Sequence, residues 1–361
     1  MSTGISAISF AGLEGFLEDP RWRDAPVLPI TRERALSQLK NPHATGIETC
    51  LWIAEDAQGA LIGFAGALPS GDPSGDPSGD PSGAKGMAWN SCWWVDPEKG
   101  KEAAMPLLLH FLSHWDQRVA FSDMTERTHA IITQLGFCHT REEELQQHYV
   151  RVPLHKLSPL GRPAGFLVNL GWNMKIRRAA SSGPGDLSSE RITSLDDESW
   201  EFIASHRERD VSRRSREEFD WILGDRWLVE ENPASMAVDR RYPFSYTSRF
   251  FEMYWLVTRS GGAISSVQLL SIRDGVLKVL YFFGEQEDHA LKALAGEVAS
   301  DRRIYSLILA HPALLSAFGQ QWKISLRKKV RMRRTGISRK LLEQWPRDLH
   351  IQLGDGDAVF T

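Results

Sequence analysis

The sequence lacks the features of secreted, membrane-spanning and disulfide-stabilised proteins. It has only three cysteines, Cys50, Cys92 and Cys138, whose odd number and wide spacing suit neither a disulfide framework nor a zinc site, so we expect buried, reduced thiols. No stretch approaches the roughly 20 consecutive apolar residues of a membrane span. The N-terminal segment carries Glu14, Glu18 and Asp19 and lacks both the basic start and the long apolar block of a secretory signal. We therefore expect a cytoplasmic protein that binds no structural metal.

The sequence also lacks a strong excess of either charge. A formal net charge of -3 gives no overall attraction to nucleic acid or to anionic lipid, so we expect neither a nucleic-acid nor a membrane partner. Lysine and arginine do crowd residues 327–340. This run could contact nucleic acid, but alternating basic side chains also protect edge strands from unwanted pairing. We favour an edge strand.

The length predicts two domains, because a single hydrophobic core usually stops growing at roughly 250–300 residues. Clusters of proline, glycine and serine indicate a linker over 156–190, between a first domain at 1–155 and a second at 191–361. Within the first domain, residues 71–83 repeat Gly-Asp-Pro-Ser three times, a composition that cannot pack. We expect a flexible insertion, either an expanded surface loop or a lid.

The first domain has a clear order of predicted elements. Two apolar runs on either side of Asp56–Gly59 predict a β-hairpin, and MAWNSCWWV predicts a buried strand. From Lys101 to Trp115 apolar residues recur every three or four positions, which predicts an amphipathic helix. A strand at VAF, a helix ending at Gly136 and a strand at HYVRVPL follow.

The second domain repeats this order. After helices within 196–230, a hairpin is predicted around Ser260–Gly262, followed by strands at VLKVLYFFG and RIYSLILA, with helices after each, and a last strand at WKISLRKKVRMR. The repetition indicates a duplication of the fold rather than of readable sequence.

Residues 49–137 resemble the GCN5-related N-acetyltransferases (GNAT). The likeness rests on the hairpin AEDAQGALIGFAG, the strand-loop-helix segment WVDPEKGKEAAMPLLLHFL and the helix ending in Leu-Gly-Phe, in that order. More broadly, the chain resembles two-module GNAT-like proteins of bacterial polysaccharide biosynthesis. The resemblance implies an α/β fold with two tandem modules, each a mixed, mostly antiparallel sheet flanked by helices.

The resemblance also implies an acyl-coenzyme A site at the strand-loop-helix segment. The unpaired N–H groups and the dipole of a helix N-terminus attract a pyrophosphate. The implied binding residues are Trp94, Val95, Lys99, Gly100, Lys101, Glu102, Ala103 and Ala104. Glu102 replaces a glycine of the family pattern, and its charge opposes a bound pyrophosphate. After the matching strand of the second domain, the acidic turn Glu285–Asp288 disfavours a second diphosphate site.

Catalytic residues are less evident. Amine acylation requires a base and a donor for the oxyanion. We expect Asn90 and Ser91 to order a water and Glu126 to act as the base; Glu55, Asp123 and His129 are further candidates for the base. Many family members have a tyrosine before Leu-Gly-Phe that protonates the departing thiolate.

In this chain Ile132 occupies the position of the thiolate-protonating tyrosine, and its side chain cannot donate a proton. The expected activity is transfer of an acyl group, most simply acetyl from acetyl-CoA, to the amine of a small molecule such as an amino sugar. The changes at Ile132 and Glu102 leave an alternative, in which the fold persists in a catalytically inactive binding or scaffolding protein.

Overall fold

The computed structural model describes residues 4–44, 46–71, 86–181, 186–321, 325–343 and 349–360. The Gly-Asp-Pro-Ser insertion predicted at 71–83 lies outside the described residues, apart from Gly71.

Among the described residues, the first half of the chain contains six strands and five helices. In chain order these are β1 Gly4–Ser9, α1 Leu13–Glu18, α2 Pro20–Arg23, α3 Arg32–Gln38, β2 Thr49–Glu55, β3 Leu61–Ser70, β4 Met87–Val95, α4 Ala104–His114, β5 Val119–Phe121, α5 Glu126–Leu135 and β6 Cys138–Tyr149. The predicted turn at Asp56–Gly59 joins β2 to β3, with the Asp56 carboxylate accepting hydrogen bonds from the N–H groups of Gln58 and Ala60. The predicted apolar face of α4 is buried.

The second half follows a long helix. Its elements are α6 Arg162–Ser181, β7 Leu187–Ile192, α7 Asp197–His206, α8 Arg216–Gly224, β8 Val229–Glu230, α9 Pro233–Asp239, β9 Thr247–Ser248, β10 Phe251–Ser260, β11 Ala263–Arg273, β12 Val276–Phe283, α10 Glu287–Ser300, β13 Ser306–Leu309, α11 Pro312–Gln321, β14 Arg327–Ser338 and α12 Arg339–Leu342. Helix α6 lies in the segment 156–190 that was expected to be a linker, and it packs on α10.

Twelve strands form one continuous sheet in the order β1-β2-β3-β4-β5-β14-β6-β13-β12-β11-β10-β7. Neighbouring strands are antiparallel except for two parallel pairs, β4 with β5 and β12 with β13. Each half therefore contains the same motif, an antiparallel meander that ends in one short parallel pair. This confirms the predicted α/β class with two tandem modules, although the modules share one sheet.

The sheet is continuous because the two halves exchange their last strands. Strand β14 of the second half lies between β5 and β6 of the first, and it pairs with β6 along its whole length, from Arg327 opposite Tyr149 to Ser338 opposite Cys138. Strand β14 is sixth of the twelve strands, yet it pairs with β5 only at Gly336 and Ile337. Among the described strands the basic run from Arg327 to Arg334 pairs with β6 alone, so its other edge meets no strand, as the prediction of an edge requires.

The basic run is also matched by acidic residues on β6. Arg334 lies 2.7 Å from Glu142, and Lys328 lies 3.6 Å from Glu144. Cross-strand pairs of opposite charge each contribute roughly 0.2–1 kcal/mol and fix the register. Strand β6 also begins ten residues before the predicted HYVRVPL strand, because its first residues are charged and lack the apolar alternation that identifies a strand.

The C-terminal segment, residues 349–360, fills the space between strands β12 and β13 of the second half. Strand β12 pairs with β13 only from Val276 to Lys278, after which the two strands diverge. Beyond that point the Gly354 N–H donates to the Leu280 carbonyl at 2.8 Å, and the Gln352 side chain bonds both backbone groups of Phe282. The space between the diverging strands is thus occupied by the chain itself.

Gly354 allows the C-terminal segment to approach β12. A Cβ atom at this position would lie 2.2 Å from a ring carbon of Tyr281, which is fully buried. We expect Gly354→Ala to lower the free energy of unfolding by about 1–3 kcal/mol, the usual cost of overpacking.

Urea titration of both variants would test this, with Gly296→Ala in helix α10 as the control. A Cβ at Gly296 meets no atom within 4 Å, so that substitution should be neutral or stabilise by up to about 1 kcal/mol. Equal stability of the two variants would show that the segment does not depend on this contact.

Candidate functional site

A cavity of about 620 Å³ opens where β4 and β5 diverge in the first half. The two strands pair only at Ala88 with Val119 and at Trp89 with Ala120. From Asn90 to Val95 the described strands pair with β4 on one side only, through β3. The free backbone edge of β4 therefore faces an open cleft, unlike the matching edge of β12.

A β-bulge shapes the wall of this cleft. Gly66 of β3 is opposite Cys92, and Ala67 is opposite Asn90, so Ser91 is the extra residue of β4. A Cβ on Gly66 would lie 2.5 Å from the Cys92 sulfur, which explains the glycine. Bulges redirect side chains and carry unpaired backbone groups.

Arg34 of helix α3 binds the bulge. Its guanidinium donates to the Ser91 carbonyl at 3.0 Å and to the Ser91 hydroxyl at 2.6 Å. It also donates to the Tyr242 hydroxyl at 2.7 Å, and its Cζ atom lies over the Trp227 ring, 4.3 Å from the ring centroid. Since Tyr242 and Trp227 belong to the second half, this one buried arginine joins both halves at the cavity.

The C-terminal segment places Asp357 in the same cavity, 3.8 Å from Arg34. The segment turns at Gly356, whose φ of 69° favours glycine and whose carbonyl accepts a hydrogen bond from Arg214 at 3.0 Å. Phe360 then stacks on Trp227 with ring centroids 4.2 Å apart. Burial raises the pKa of the Asp357 carboxyl to about 6, although Arg34 opposes this change.

The rest of the cavity wall is polar and aromatic. Phe244 and Asp239 contribute from the second half, and Asp123 from the loop after β5. Burial raises the pKa of Asp123, although nearby Arg333 lowers it. The cavity also contains Arg273, which donates to the Thr247 carbonyl at 2.8 Å.

Two of the three predicted catalytic residues line the cavity. They are Asn90 and Ser91. The third, Glu126, does not: its side chain is 88% exposed and lies 3.9 Å from Arg334. Of the other candidates for the base, Asp123 lines the cavity, whereas Glu55 and His129 do not.

The predicted coenzyme-binding residues lie beside the cavity rather than in its wall, in the loop from β4 to α4. Lys99, Lys101 and Glu102 are exposed. The side chain of Trp94 stacks on Phe64, and Val95 packs at the edge of the core. Ala103 is buried, and Ala104 begins helix α4.

Gly100 has a packing role in this loop. A Cβ there would lie 2.2 Å from the Ile62 carbonyl oxygen, so the fold itself requires glycine. The Asp96 side chain accepts hydrogen bonds from the N–H groups of Glu98 and Lys99 at 2.8 Å. These two N–H groups are therefore satisfied within the loop.

Sequence reasoning missed Arg34, Tyr242 and Asp357. The first two lie far from the strand-loop-helix segment and carry no local motif. For Asp357 a signal was present, because GDGDAVF combines two glycines with two carboxylates close to the last residue.

No group of three or more histidine, cysteine, aspartate or glutamate side chains within the described ranges could hold a metal ion. No helix of the described chain is long and apolar enough to cross a membrane.

Solved structures with the same architecture share little sequence with this chain. No protein-family model and no curated protein sequence matches it. A GCN5-related N-acetyltransferase from Anabaena variabilis aligns with 93% of this chain and 72% of its own, at a TM-score of 0.50 and 9% identity. A probable N-acyltransferase of unknown function from Enterococcus faecalis aligns with 94% of this chain and 73% of its own, at a TM-score of 0.51 and 11% identity.

Both alignments extend over more than 90% of this chain and therefore include both modules. The chain therefore has the GNAT fold, in two tandem modules that share a single sheet.

Proposed function

We propose that this protein is an N-acyltransferase that moves an acyl group from acyl-CoA to the amine of a small polar molecule. One observation carries the proposal: a carboxylate, Asp357, lies in the cleft between the diverging strands β4 and β5, with its pKa raised by burial to about 6. A base is most useful when its pKa lies just below the working pH, because it is then deprotonated yet still able to accept a proton.

The open edge of β4 and the start of helix α4 fit an acyl-CoA molecule. Beyond the Ser91 carbonyl, which Arg34 binds, the backbone edge of β4 from Trp93 to Val95 pairs with no described strand and can bond the amide groups of the pantetheine arm. Lys99 and Lys101 provide exposed positive charge beside the helix N-terminus, where phosphates bind favourably. When bound, acyl-CoA supplies the thioester carbonyl that the amine attacks and the thiolate that leaves.

The side chains around Asp357 suit proton transfer from an amine. Above pH 6 the carboxylate can take the proton that the amine nitrogen loses as it forms the new C–N bond. Arg34, held by Ser91 and Tyr242, fixes the position of the carboxylate. We therefore assign Ser91 a positioning role, while Asn90 remains in reach of an ordered water or the acceptor.

Tyr242 is a candidate for the proton donor that Ile132 cannot provide. Its hydroxyl accepts a hydrogen bond from Arg34 and so keeps its own proton for donation. Among the described residues that line the cavity, it is the one tyrosine. Ile132 is buried in the core cluster that also contains the apolar face of α4.

The cavity favours an acceptor that carries a positive charge and hydroxyl groups. Asp123, Asp239 and Asp357 attract an ammonium group before it is deprotonated, and the Phe244 ring offers a face on which a cation or a sugar ring can lie. Both arginines of the cavity already bond protein groups. We therefore propose an amino sugar or a related polyhydroxylated amine.

We expect Asp357→Asn to lower kcat/KM for amine acetylation by about 10²- to 10⁴-fold, the usual contribution of a general base. The affinity for acetyl-CoA, measured by calorimetry, should be unchanged, because the carboxylate faces the acceptor. Glu126→Gln, which alters an exposed carboxylate outside the cavity, is the control and should retain activity. Full activity in Asp357→Asn would exclude it as the base, and no activity in the parent with any amine would favour the binding-protein alternative.

The same substitution should raise stability at neutral pH. The native state holds the Asp357 proton more tightly than the unfolded chain does, so its contribution to stability is complete at low pH and is lost as the pH rises through about 6. At pH 7 Asp357→Asn should therefore melt at a higher temperature than the parent, and the difference should shrink toward about pH 4.5. A lower Tm at pH 7 would show that the ionised carboxylate stabilises the fold.

Neighbouring charges at the start of α4 provide a test of the coenzyme site. We expect Lys101→Gln to weaken and Glu102→Gln to strengthen acetyl-CoA binding, each by about two- to fivefold, because a helix N-terminal charge contributes roughly 0.3–1 kcal/mol. Calorimetry at low and high salt should show both effects fading as salt screens them. Unchanged affinity in both variants, with binding in the parent, would place the coenzyme elsewhere.

A further inference from the structure

Helix α6 has two apolar faces, an inner face that packs on the rest of the protein and an outer face that is exposed. On the inner face Ile176 is buried, and Gly165 packs so closely on Leu154 and Leu157 that a Cβ would overlap them. The Asn169 side chain bonds both backbone groups of Val152. These contacts hold the helix against the rest of the fold in one orientation.

The outer face of α6 is apolar as well. Four large side chains, each 56–66% exposed, project from it: Phe166, Leu167, Leu170 and Met174. The last three recur at three and four residues, which places them in one stripe along the helix. An exposed apolar stripe of this kind marks a surface that binds something.

The segment of sequence that contains this stripe has basic residues and no acidic ones. Between Leu145 and Gly185 the chain has no aspartate or glutamate but six lysine or arginine residues. In α6 itself Arg162 lies at the N-terminal end, and Lys175, Arg177 and Arg178 lie near the C-terminal end, all of them exposed. The net charge of the whole chain conceals this local excess.

A depression beside the stripe combines the same two properties. It has a volume of about 220 Å³ and lies between α6 and the body of the protein. Leu154, Phe166, Leu170 and Met174 give it apolar walls, while Arg177 and Arg302 lie at its exposed side. Apolar walls with guanidinium groups beside them match a molecule that has a hydrocarbon chain and an anionic head.

We infer that helix α6 docks the protein on an anionic phospholipid surface. A helix lying in the membrane interface needs large apolar side chains on one face with lysine and arginine beside them, and α6 has both. A second copy of the chain is a poorer occupant, because two such faces would bring like charges together with no acidic residue of the 145–185 segment to pair them. This inference does not depend on the proposed acyl transfer.

The test is co-sedimentation of the full chain with vesicles of phosphatidylcholine, alone or with about one-third phosphatidylglycerol. We expect binding at least about tenfold tighter to the phosphatidylglycerol vesicles, weakened by salt. The double substitution Leu167→Gln and Leu170→Gln should reduce binding by about tenfold or more. Arg177→Gln with Arg178→Gln should remove the preference for phosphatidylglycerol.

The control is Leu109→Gln on helix α4, where the leucine is 56% exposed, as Leu170 is. It should bind vesicles like the parent, and all variants should keep the parent Tm, since every substituted side chain is exposed. Equal binding to both vesicle types, or undiminished binding by the Leu167→Gln, Leu170→Gln variant, would overturn the inference. The inference would also fail if the parent formed a dimer in sedimentation equilibrium and bound no vesicles, while the Leu167→Gln, Leu170→Gln variant was monomeric.

Discussion

The hydrogen bonding of the C-terminal segment to the free edge of β12 is the interaction on which the arrangement of the site depends. Each half contains a parallel pair of strands that diverges and leaves unpaired backbone groups, which must be satisfied or solvated. In the second half, residues 349–360 satisfy them. The same segment then turns at Gly356 and carries Asp357 into the gap of the first half. One cleft is closed, and the other receives a carboxylate.

The exchange of β6 and β14 makes this geometry rigid. Because each half completes the sheet of the other, the second half cannot move away from the cavity without breaking a pairing twelve residues long. Arg34 and Arg333 add to this connection. Arg34 joins Ser91 to Tyr242, and Arg333 donates to the Ser122 carbonyl and to the C-terminal segment. The second module is therefore part of the proposed acceptor site, although its own cleft is closed.

The carboxylate of the proposed site lowers the stability of the fold at neutral pH. A carboxylate held in a cavity with a pKa near 6 is less stable ionised than it would be in water, and a single arginine at 3.8 Å does not fully compensate. The fold tolerates this because Arg214, Tyr281 and Asp355 hold the neighbouring residues of the segment through buried hydrogen bonds. The exposed leucines of helix α6 also contribute little to the stability of the isolated chain, because they bury little apolar surface there.

The sequence by itself determined the local elements and their order. Apolar periodicity located helix α4 and the central strands, turn residues located the hairpins, and the repeated order indicated two modules, because each of these signals arises from residues close together in the chain. It also indicated Asn90 and Ser91, which lie on a recognisable strand. Only the tertiary structure decided that β14 inserts between β5 and β6 and is matched to the glutamates of β6, that Gly100 is required by the Ile62 carbonyl, and that Asp357 lies beside Arg34. Those relations join residues tens to hundreds of positions apart, and no local pattern encodes which distant segments will meet.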